Sequence, residues 1–435
     1  MSHCPNTNSV APLDCLHDIM NAALAAVDPA QLVPEYLPDP PTGRTIVIGA
    51  GKASARMAKA VEDHWKHDLT GLVVTRYGHQ EVCERIEVVE AAHPVPDQAG
   101  LDVARRMLAL VSGLTADDLV ICLVSGGGSA LLSLPLDGIT KEEKRQIKRD
   151  LLKSGATIAE MNCVRRHLSA VKGGRLAAAC FPARVHTLVI SDVPGDDPSV
   201  VASGPTFPDW STPRDAVAIL KRYGIAVSAR ALAVLGDPAA AGPTPDDPRL
   251  TRNEVVVIAT AADALRAAET AARNLGIRSI NLGGAIEGEA AVVARDQASM
   301  VRELLQRGGV KAERLLILSG GETTVTVKGT GRGGRNAEFL LALAVALNGM
   351  PDVYALAIDT DGIDGTETNA GAVVMPDTLS RARALRLDSR AMLMNNDGYT
   401  FFEKIGDLVV TGPTKTNVND FRAILIDCAA KKLDG

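Results

Sequence analysis

The sequence predicts an α/β fold in which parallel sheets are covered by helices. Apolar runs bounded by glycine alternate with helical patterns along most of the 435 residues, and this alternation is typical of repeated strand and helix units. A chain of this length exceeds one ordinary hydrophobic core, so we expect two domains. Glycine-rich or acidic motifs follow several of the apolar runs. Open α/β sheets bind ligands at the carboxyl ends of their strands, so these motifs are the candidate site.

The first half of the chain shows the alternation most clearly. Residues 45–48 form an apolar run that predicts a buried strand, and residues 52–67 follow with apolar side chains at helical spacing. Further strands are predicted at 71–74, 119–124 and 185–190.

A change in composition divides the chain. Residues 235–249 are rich in proline, aspartate and alanine, which predicts a linker between domains at 1–240 and 250–435. Beyond it the alternation resumes. Strands are predicted at 254–259, 314–318, 323–327 and 353–358, and helices at 262–275 and 335–347. The adjacent runs 314–318 and 323–327 leave room for an antiparallel pair.

Composition excludes several classes of protein. The 46 Lys and Arg residues against 52 Asp and Glu residues give a formal charge of -6, and only 3% of residues are aromatic, so we expect no nucleic-acid partner. The seven cysteines are scattered, which favours a reduced compartment. No Lys or Arg precedes Arg44 and no apolar stretch approaches membrane-spanning length. We therefore predict a cytoplasmic protein without a membrane partner. The oligomeric state stays open, with a homodimer as one option.

Two glycine-rich turns follow predicted strands, and both predict phosphate contacts. Glycine allows backbone amides to turn inward on an anion. The candidate phosphate-binding residues are Gly51, Ser125, Gly126 and Gly127, with Lys52 as the neighbouring cation. The alternative is a pair of tight turns beside an exposed lysine.

The first turn matches neither common nucleotide motif. It is not a Walker P-loop, because Ile46 stands in place of its first glycine and Ala53 replaces the hydroxyl residue after the lysine. Ser54 stands at the third glycine of a dinucleotide fingerprint, and no acid follows about 20 residues on. NAD is therefore disfavoured, whereas Arg76 leaves NADP open.

A further glycine-rich region, separate from these two turns, lies at residues 319–338. It contains Glu322 before a short predicted strand, then Arg332 and Arg335 among glycines. Paired guanidinium nitrogens can clamp carboxylate or phosphate oxygens. A solvated surface loop is the alternative.

Two acidic loops and one basic segment complete the candidate site. Asp192 and Asp197 follow the run 185–190 and predict a Mg²⁺ site, with turn formation as the alternative. Asp361 follows the run 353–358 and could orient a hydroxyl or bind metal. A helix over 161–175 would place Arg165 and Lys172 on one face, where Arg165 could bind phosphate. More often such a face is simply solvated.

Taken in order, these six motifs resemble those of the class II glycerate 2-kinases, members of which have often been labelled hydroxypyruvate reductases. The similarity spans nearly the whole chain, and residues 315–426 resemble the MOFRL domain of that family. The resemblance implies an N-terminal Rossmann-like parallel sheet and a C-terminal mixed-sheet α/β domain with the active site between them. It also implies ATP-dependent phosphorylation of D-glycerate at the C2 hydroxyl, giving 2-phosphoglycerate.

The resemblance also implies residue roles. The family uses a lysine of the first glycine turn and an arginine of the late Gly-Arg segment, which correspond to Lys52 and Arg332, with Arg335 as a second candidate. Phosphoryl transfer needs mainly positioning and charge stabilisation, so Asp192 is assigned to Mg²⁺ or to activation of the hydroxyl. One rival is an NADP-dependent hydroxypyruvate reductase, and another is a non-catalytic sensor of sugar acids or nucleotides.

Overall fold

The structure is a computed structural model that describes residues 10–306 and 313–428. The chain divides into two compact units. We call Pro29–Ala259 with Lys415–Asn417 the parallel-sheet unit. The mixed-sheet unit comprises the described residues of Met1–Asp28, Thr260–Thr414 and Val418–Gly435. It begins with helix α1 (Pro12–Ala25). This helix packs against the helix Ala261–Asn274 and against two strands of its own unit.

A fully parallel sheet forms the centre of the parallel-sheet unit. Its strands, all within the described range 29–259, are β1 (Thr45–Ala50), β2 (Thr70–Arg76), β3 (Ile86–Ala91), β4 (Leu119–Val124), β5 (Arg184–Ile190) and β6 (Asn253–Ala259). They lie in the order β3-β2-β1-β4-β5-β6, the order of the Rossmann fold, which reverses direction between β1 and β4. The side chains of β1 and β4 are buried throughout, as expected for strands covered on both faces. The prediction of a Rossmann-like α/β fold is confirmed.

The helices of this unit do not all pack on the sheet. They are α2 (Pro29–Leu32), α3 (Ser54–His64), α4 (Gln98–Leu110), α5 (Gly128–Leu131), α6 (Lys141–Lys153), α7 (Ile158–His167), α8 (Arg175–Ala179), α9 (Pro213–Arg222) and α10 (Ala229–Gly236). Helix α4 packs its apolar face on the sheet, whereas α6, α7, α9 and α10 share a separate apolar cluster. Each of these four begins at a Ser or Thr whose side chain accepts a backbone N–H, which defines where the helix starts.

The mixed-sheet unit combines antiparallel and parallel pairs. Its described strands are β7 (Arg278–Asn281), β8 (Gly288–Glu289), β9 (Arg314–Gly321), β10 (Thr323–Thr324), β11 (Val353–Asp359), β12 (Gly371–Val374), β13 (Leu408–Val409) and β14 (Asp420–Asp427). The main sheet has the order β13-β12-β11-β14-β9-β7. Strand β14 is antiparallel to both β9 and β11, and β7 is parallel to β9. The predicted mixed sheet is confirmed.

Helices cover this second sheet. They are α11 (Ala261–Asn274), α12 (Ala290–Gln306), α13 (Arg335–Leu347), α14 (Thr378–Ala384), α15 (Ser389–Met394) and α16 (Gly398–Ile405). Helix α13 is apolar around most of its circumference, because it is buried among the sheet, α12 and α16. Its first residue, Arg335, therefore starts a helix that is fixed on nearly every side.

The predicted strand pair 314–318 and 323–327 is wrong in its pairing. The second run forms only the two-residue strand β10, which pairs in parallel with β8. The antiparallel partner of β9 is instead β14, about 100 residues further along the chain. The sequence alone gave no sign of this distant partner.

The strand predicted at 254–259 as the start of the second domain is β6 of the first sheet, where it pairs with β5. The segment 235–249 is correspondingly a packed connection within the parallel-sheet unit. Arg175 donates hydrogen bonds to the carbonyls of Ala240 and Ala241, and Asp209 N donates to Pro243 O at 3.2 Å. Those bonds anchor a proline-rich segment whose composition had suggested a free linker.

The helix predicted over 161–175 ends early. Helix α7 stops at His167 because Ser169 forms a bridge with Pro135 and Ala170 N donates to Leu134 O at 2.9 Å. Arg165 therefore lies on the helix and Lys172 beyond it, so one helical face does not hold both. No helix in the described part of the chain is long and apolar enough to cross a membrane.

Candidate active site

The polar loops of the parallel-sheet unit gather at the carboxyl ends of its strands. Lys52 follows β1, Ser125 follows β4 and Asp192 follows β5. Strands β1 and β4 are neighbours at the point where the strand order reverses, and β5 lies next to β4. Ligands of open α/β sheets bind at this point, because the loops on either side diverge and leave a crevice.

Direct hydrogen bonds join the first two glycine turns. Lys52 N donates to Gly126 O at 2.8 Å, and Ala53 N donates to Ser125 Oγ at 3.0 Å. Gly51 has φ +147°, and a Cβ on it would collide with the Ser125 hydroxyl. The predicted residues Gly51 and Ser125 thus hold the two turns in fixed register.

The acidic loop after β5 meets the second turn. A Cβ on Gly126 would overlap the carboxylate of Asp192, so only glycine allows the two to approach this closely. Asn417 Nδ2 donates to Asp192 Oδ2 at 2.9 Å. Asp192 is half-buried, and this amide fixes one of its oxygens directly beside the glycine turn.

Lys52 and a histidine lie on either side of Gly127. Gly127 has φ +80°, and a Cβ there would lie 3.1 Å from Lys52 Cγ and 3.2 Å from the ring of His93. Burial, reinforced by Lys52 and Arg76, lowers the pKa of His93 to about 3. Its imidazole is therefore neutral near pH 7 and can accept a hydrogen bond.

A second histidine adjoins the same cations. His79 is fully buried, and neither ring nitrogen has a hydrogen-bond partner among the described residues. Burial, with Arg76 and Lys52, lowers the pKa of His79 to about 4. The loops after β1, β2 and β3 thus place cations beside imidazoles that do not add to the positive charge.

A cavity of about 210 Å³ opens beside Gly127 and His93. Arg165 and Lys172 both line it, although they do not share a helix. Lys172 is buried, and its Nζ donates to Ser129 O at 2.8 Å. The predicted proximity of these two cations arises from tertiary packing.

The predicted pair of metal ligands is not supported as a pair. Asp197 is exposed, and its Oδ1 accepts from Ser199 N at 2.9 Å, so it forms a turn. Within residues 10–306 and 313–428, no group of three or more His, Cys, Asp or Glu side chains is placed to hold a metal ion. Asp192 is left as a single carboxylate at the glycine turns.

In the mixed-sheet unit, Arg335 is surrounded by carboxylates. Its Nε donates to Asp420 Oδ1 at 2.7 Å, Nη1 to Glu322 Oε1 at 3.0 Å and Nη2 to Asp359 Oδ2 at 2.9 Å. Burial opposes its charge, but Asp420, Asp359 and Glu322 raise the pKa of Arg335 well above its usual value. All three guanidinium nitrogens are engaged, which argues against Arg335 as a ligand of a substrate anion. The predicted residue Glu322 is one of the partners of Arg335.

The aspartates after β11 also have internal partners. Asp364 is fully buried and accepts from Asn336 N at 3.0 Å and Ala337 N at 2.9 Å, so it caps α13 from a distant loop. Asp361 is also buried, and its Oδ1 accepts from Ile363 N at 2.8 Å. These contacts give both carboxylates a structural role in this loop.

Arg332 differs from Arg335 in its exposure. Its side chain is 53% exposed, pairs with Glu367 and lies 4.4 Å from the centre of the Tyr399 ring. Its backbone N–H donates to Asp397 Oδ1 at 2.9 Å. Arg332 is therefore oriented by one carboxylate and one ring, and much of its guanidinium still faces solvent.

Sequence reasoning missed several residues that the structure brings to these sites. His93 follows β3, a strand that was not predicted, and Asn417 and Asp420 are remote in sequence from their partners. For Lys144 and Lys148 the sequence did contain a usable pattern, because lysines four residues apart on a helix share one face. That face lines the cavity described above.

Known proteins resemble this chain over nearly its whole length. A family described as a domain of unknown function (DUF4147) matches residues 15–236, and the MOFRL family matches residues 315–420. A putative hydroxypyruvate reductase of Agrobacterium vitis is 52% identical over 96% of this chain and 95% of its own length. A D-glycerate 2-kinase of Thermotoga maritima is 41% identical over 93% of this chain and 95% of its own length.

A solved structure agrees with these matches. The crystal structure of a glycerate kinase from Thermotoga maritima superposes with a TM-score of 0.85 at 39% identity, covering 95% of this chain and 99% of that one. The resemblance first drawn from six short motifs is thus confirmed by both sequence and fold. This chain belongs to the class II glycerate 2-kinase family.

Proposed function

We propose that the protein is an ATP-dependent glycerate 2-kinase that phosphorylates the C2 hydroxyl of D-glycerate, giving 2-phosphoglycerate and ADP. One observation carries the mechanism: two interlocked glycine turns hold Lys52 and Asp192 at the crevice of a Rossmann-ordered sheet. The 41% identity to a D-glycerate 2-kinase over 93% of the chain supports the choice of substrate.

The glycine turns suit a phosphoryl group in transfer. Such a group spreads negative charge over its outer oxygens, and catalysis depends on positioning and on stabilising that charge. Lys52 lies over Gly127, so its ammonium and the amides of the second turn can bind the same phosphate. We assign Lys52, Gly126 and Gly127 to this contact.

The residues present also fit Mg²⁺ brought by the nucleotide. Mg²⁺ is usually bound through one or two carboxylates together with substrate phosphates and water, and Asp192 offers one oriented carboxylate beside the turn. When bound with ATP, the ion would neutralise charge on the phosphate oxygens. Asp197 lies in an exposed turn and is the weaker candidate ligand.

The carboxylate of glycerate needs a cation, and the geometry favours Arg332 over Arg335. Arg332 is half-exposed with one carboxylate partner, whereas Arg335 is engaged by three. The C2 hydroxyl must lose its proton as the phosphate bond forms. Asp192 is the candidate to accept it, because the lowered pKa of His93 makes that imidazole a weak base.

A coupled assay tests the proposed reaction. Purified protein is mixed with D-glycerate, ATP and Mg²⁺, and enolase is added to consume 2-phosphoglycerate. Enolase does not accept the 3-phosphate, so direct coupling identifies the C2 product. L-glycerate serves as the matched control. Absence of both ADP and 2-phosphoglycerate formation would refute the proposal.

The alternative function, an NADP-dependent hydroxypyruvate reductase, has a separate test. Ser54 occupies the third glycine position of a dinucleotide fingerprint, and its Oγ lies within hydrogen-bond distance of two carbonyl oxygens, Gly51 O at 2.8 Å and Val74 O at 2.7 Å. This side chain fills space that the fingerprint leaves open for close packing. Loss of nicotinamide absorbance with hydroxypyruvate and NADPH would nevertheless favour the reductase. Tight ligand binding with no turnover of any donor would favour a sensor.

We further propose that the enzyme acts in the cytoplasm on small molecules. The six cysteines within the described residues are all free, which suits a reducing compartment. Cell fractionation tests this, and recovery of the protein with membranes or periplasm would contradict it.

A further inference from the structure

The cavity beside Gly127 has an unusual charge composition. It is lined by six Lys or Arg side chains, and none of its lining residues, all of them described, is Asp or Glu. The cations are Lys141, Lys144, Arg145, Lys148, Arg165 and Lys172. The chain as a whole carries a formal charge of -6, so this concentration of positive charge is local.

These cations have only neutral partners. Lys144 Nζ donates to Leu134 O at 3.2 Å, and Arg165 Nη1 donates to Asn162 Oδ1 at 3.2 Å. The Nε of Arg165 is buried with no hydrogen-bond partner. Within the described residues, none of the six forms an ion pair with a carboxylate. Buried charges are normally paired, so the missing negative charge points to a ligand.

The electrostatics support the same conclusion. Burial and the adjacent Lys148 lower the pKa of Lys144 to about 7, and burial with Lys144 and Arg165 nearby lowers the pKa of Lys172 well below its usual value. Like charges held together in this way are unfavourable without an anion. A polyanion in the cavity would restore their full protonation.

The position of the cavity identifies its occupant as a reactant. Gly127, which belongs to the turn that holds the transferring phosphate in the proposed function, is part of the cavity wall, and so is His93. A molecule filling the cavity therefore reaches the phosphate site. In the proposed reaction only ATP and glycerate go there.

Charge and wall chemistry decide between the two reactants. Glycerate carries one negative charge, whereas the triphosphate of ATP carries about four at neutral pH, as expected from terminal phosphate pKa values near 6. Much of the rest of the wall is apolar and includes Leu101, Ile147, Leu151, Val164 and Leu168, beside the polar Ser129, Ser133 and His93. Such an apolar surface suits a flat nucleobase, whereas glycerate carries no apolar group of comparable size.

Resting on the proposed function, we infer that this cavity binds ATP, with the triphosphate on Lys144, Lys148 and Arg165 and the base against the apolar wall. Helices α6 and α7, which line the cavity, are then the nucleotide-binding element. The glycine turns hold only the terminal phosphate. Nucleotide binding is a property of the parallel-sheet unit alone.

Calorimetric titration with ATP, in the absence of glycerate, tests the inference. Lys148→Met removes one charge without breaking a hydrogen bond, and Arg165→Met removes the partly unpaired guanidinium. Each should weaken ATP binding by about tenfold to hundredfold, the usual effect of losing a charged contact. Lys153→Met is the matched control, because Lys153 is exposed on the same helix and does not line the cavity. Its ATP affinity should equal that of the wild type.

A second measurement does not depend on variants. Reductive methylation of the wild-type protein, mapped by peptide mass spectrometry, should label Lys148 and Lys153 without ligand. ATP should protect Lys148 and leave Lys153 labelled. Equal labelling of Lys148 with and without ATP would overturn the inference.

The outcomes separate this inference from the proposed function. If the protein makes 2-phosphoglycerate but both Met variants bind ATP normally, the cavity assignment fails and the kinase stands. If the variants raise KM for glycerate and leave ATP affinity unchanged, the assignment also fails, because the cavity then takes the hydroxy acid. If ATP binding depends on Lys148 but no phosphoglycerate forms, the cavity assignment holds and the kinase proposal fails.

Discussion

Cations at two places in this chain, one in each unit, have opposite surroundings. In the mixed-sheet unit, Arg335 contacts three carboxylates, and the fully buried Arg422 pairs with Asp420. In the parallel-sheet unit, Lys148 and Arg165 of the cavity form no ion pair with any carboxylate of the described residues. Paired cations stabilise the protein's own structure, whereas cations left unpaired in a cavity indicate that an anionic ligand binds there. Positive charge alone therefore does not mark a binding site.

The largest effect that would test this contrast is on stability. Arg335→Leu removes one guanidinium partner each from Asp420 and Asp359, whose side chains are 0% and 6% exposed, and leaves Asp420 paired with Arg422. Breaking a buried ion pair on one side costs about 3–5 kcal/mol of unfolding free energy. The check is urea unfolding followed by far-UV circular dichroism.

The matched control for that variant is Arg332→Leu. Arg332 forms a half-exposed pair, and such pairs contribute less than about 1 kcal/mol. Equal loss of stability in the two variants would show that the partners of Arg335 do not distinguish it from Arg332. It would also reopen Arg335 as an anion ligand.

The next effect is on turnover. Lys52→Ala should lower kcat about 10²- to 10³-fold, as expected for losing one preorganised donor to the reacting group, and should leave far-UV circular dichroism unchanged. Lys59→Ala on α3, the helix that follows this turn, is the control, because Lys59 pairs with Asp63 at the surface. If Lys52→Ala keeps a kcat within a few-fold of the wild type, Lys52 is not part of the phosphate site.

Much of the parallel-sheet unit could be predicted from local sequence. Strands β1 and β4 are continuous apolar runs because both of their faces are covered, and their predicted positions agree with the structure to within two residues. Motifs that directly follow parallel strands must meet at one edge of the sheet. For this reason the proximity of Lys52, Ser125 and Asp192 follows from the sequence pattern.

The rest depends on contacts between distant residues. Asn417 contacts Asp192 across 225 positions, and Arg335 contacts Asp420 across 85, so no local pattern could show that one arginine is enclosed and the other exposed. Helix α7 stops at His167 because a competing backbone pairing with Pro135 takes over. Helical periodicity carries no information on such a competitor.

A moderate effect should appear in the pH dependence of ATP binding. Lys144 has a pKa lowered to about 7, chiefly by burial and then by Lys148, and it also shares the cavity with Arg165, Lys172 and His93. Above pH 7 the free protein has lost this proton, and binding the triphosphate must take it up again. ATP affinity should therefore fall as pH rises above 7, by at most about tenfold per pH unit.

Calorimetry in buffers of different ionisation enthalpy measures that proton uptake directly. Titration of ATP itself is common to both proteins and cancels when the wild type is compared with Lys144→Met. The variant should bind ATP without the extra proton. Identical proton uptake in the two proteins would exclude Lys144 from the triphosphate contact.

The smallest effect concerns the rim of the cavity. Arg145 lines the cavity but is exposed, whereas Lys148 is half-buried on the same helix. An exposed charge contributes about 0.2–1 kcal/mol and is screened by salt, so Arg145→Ala should raise KM for ATP by a few-fold at low ionic strength and hardly at all at high ionic strength. The larger effect of Lys148→Met should persist at both, because its surroundings exclude most of the screening ions. If the two variants respond to salt alike, the cavity is simply a charged surface, and the contrast between unpaired and paired buried cations no longer explains where ATP binds.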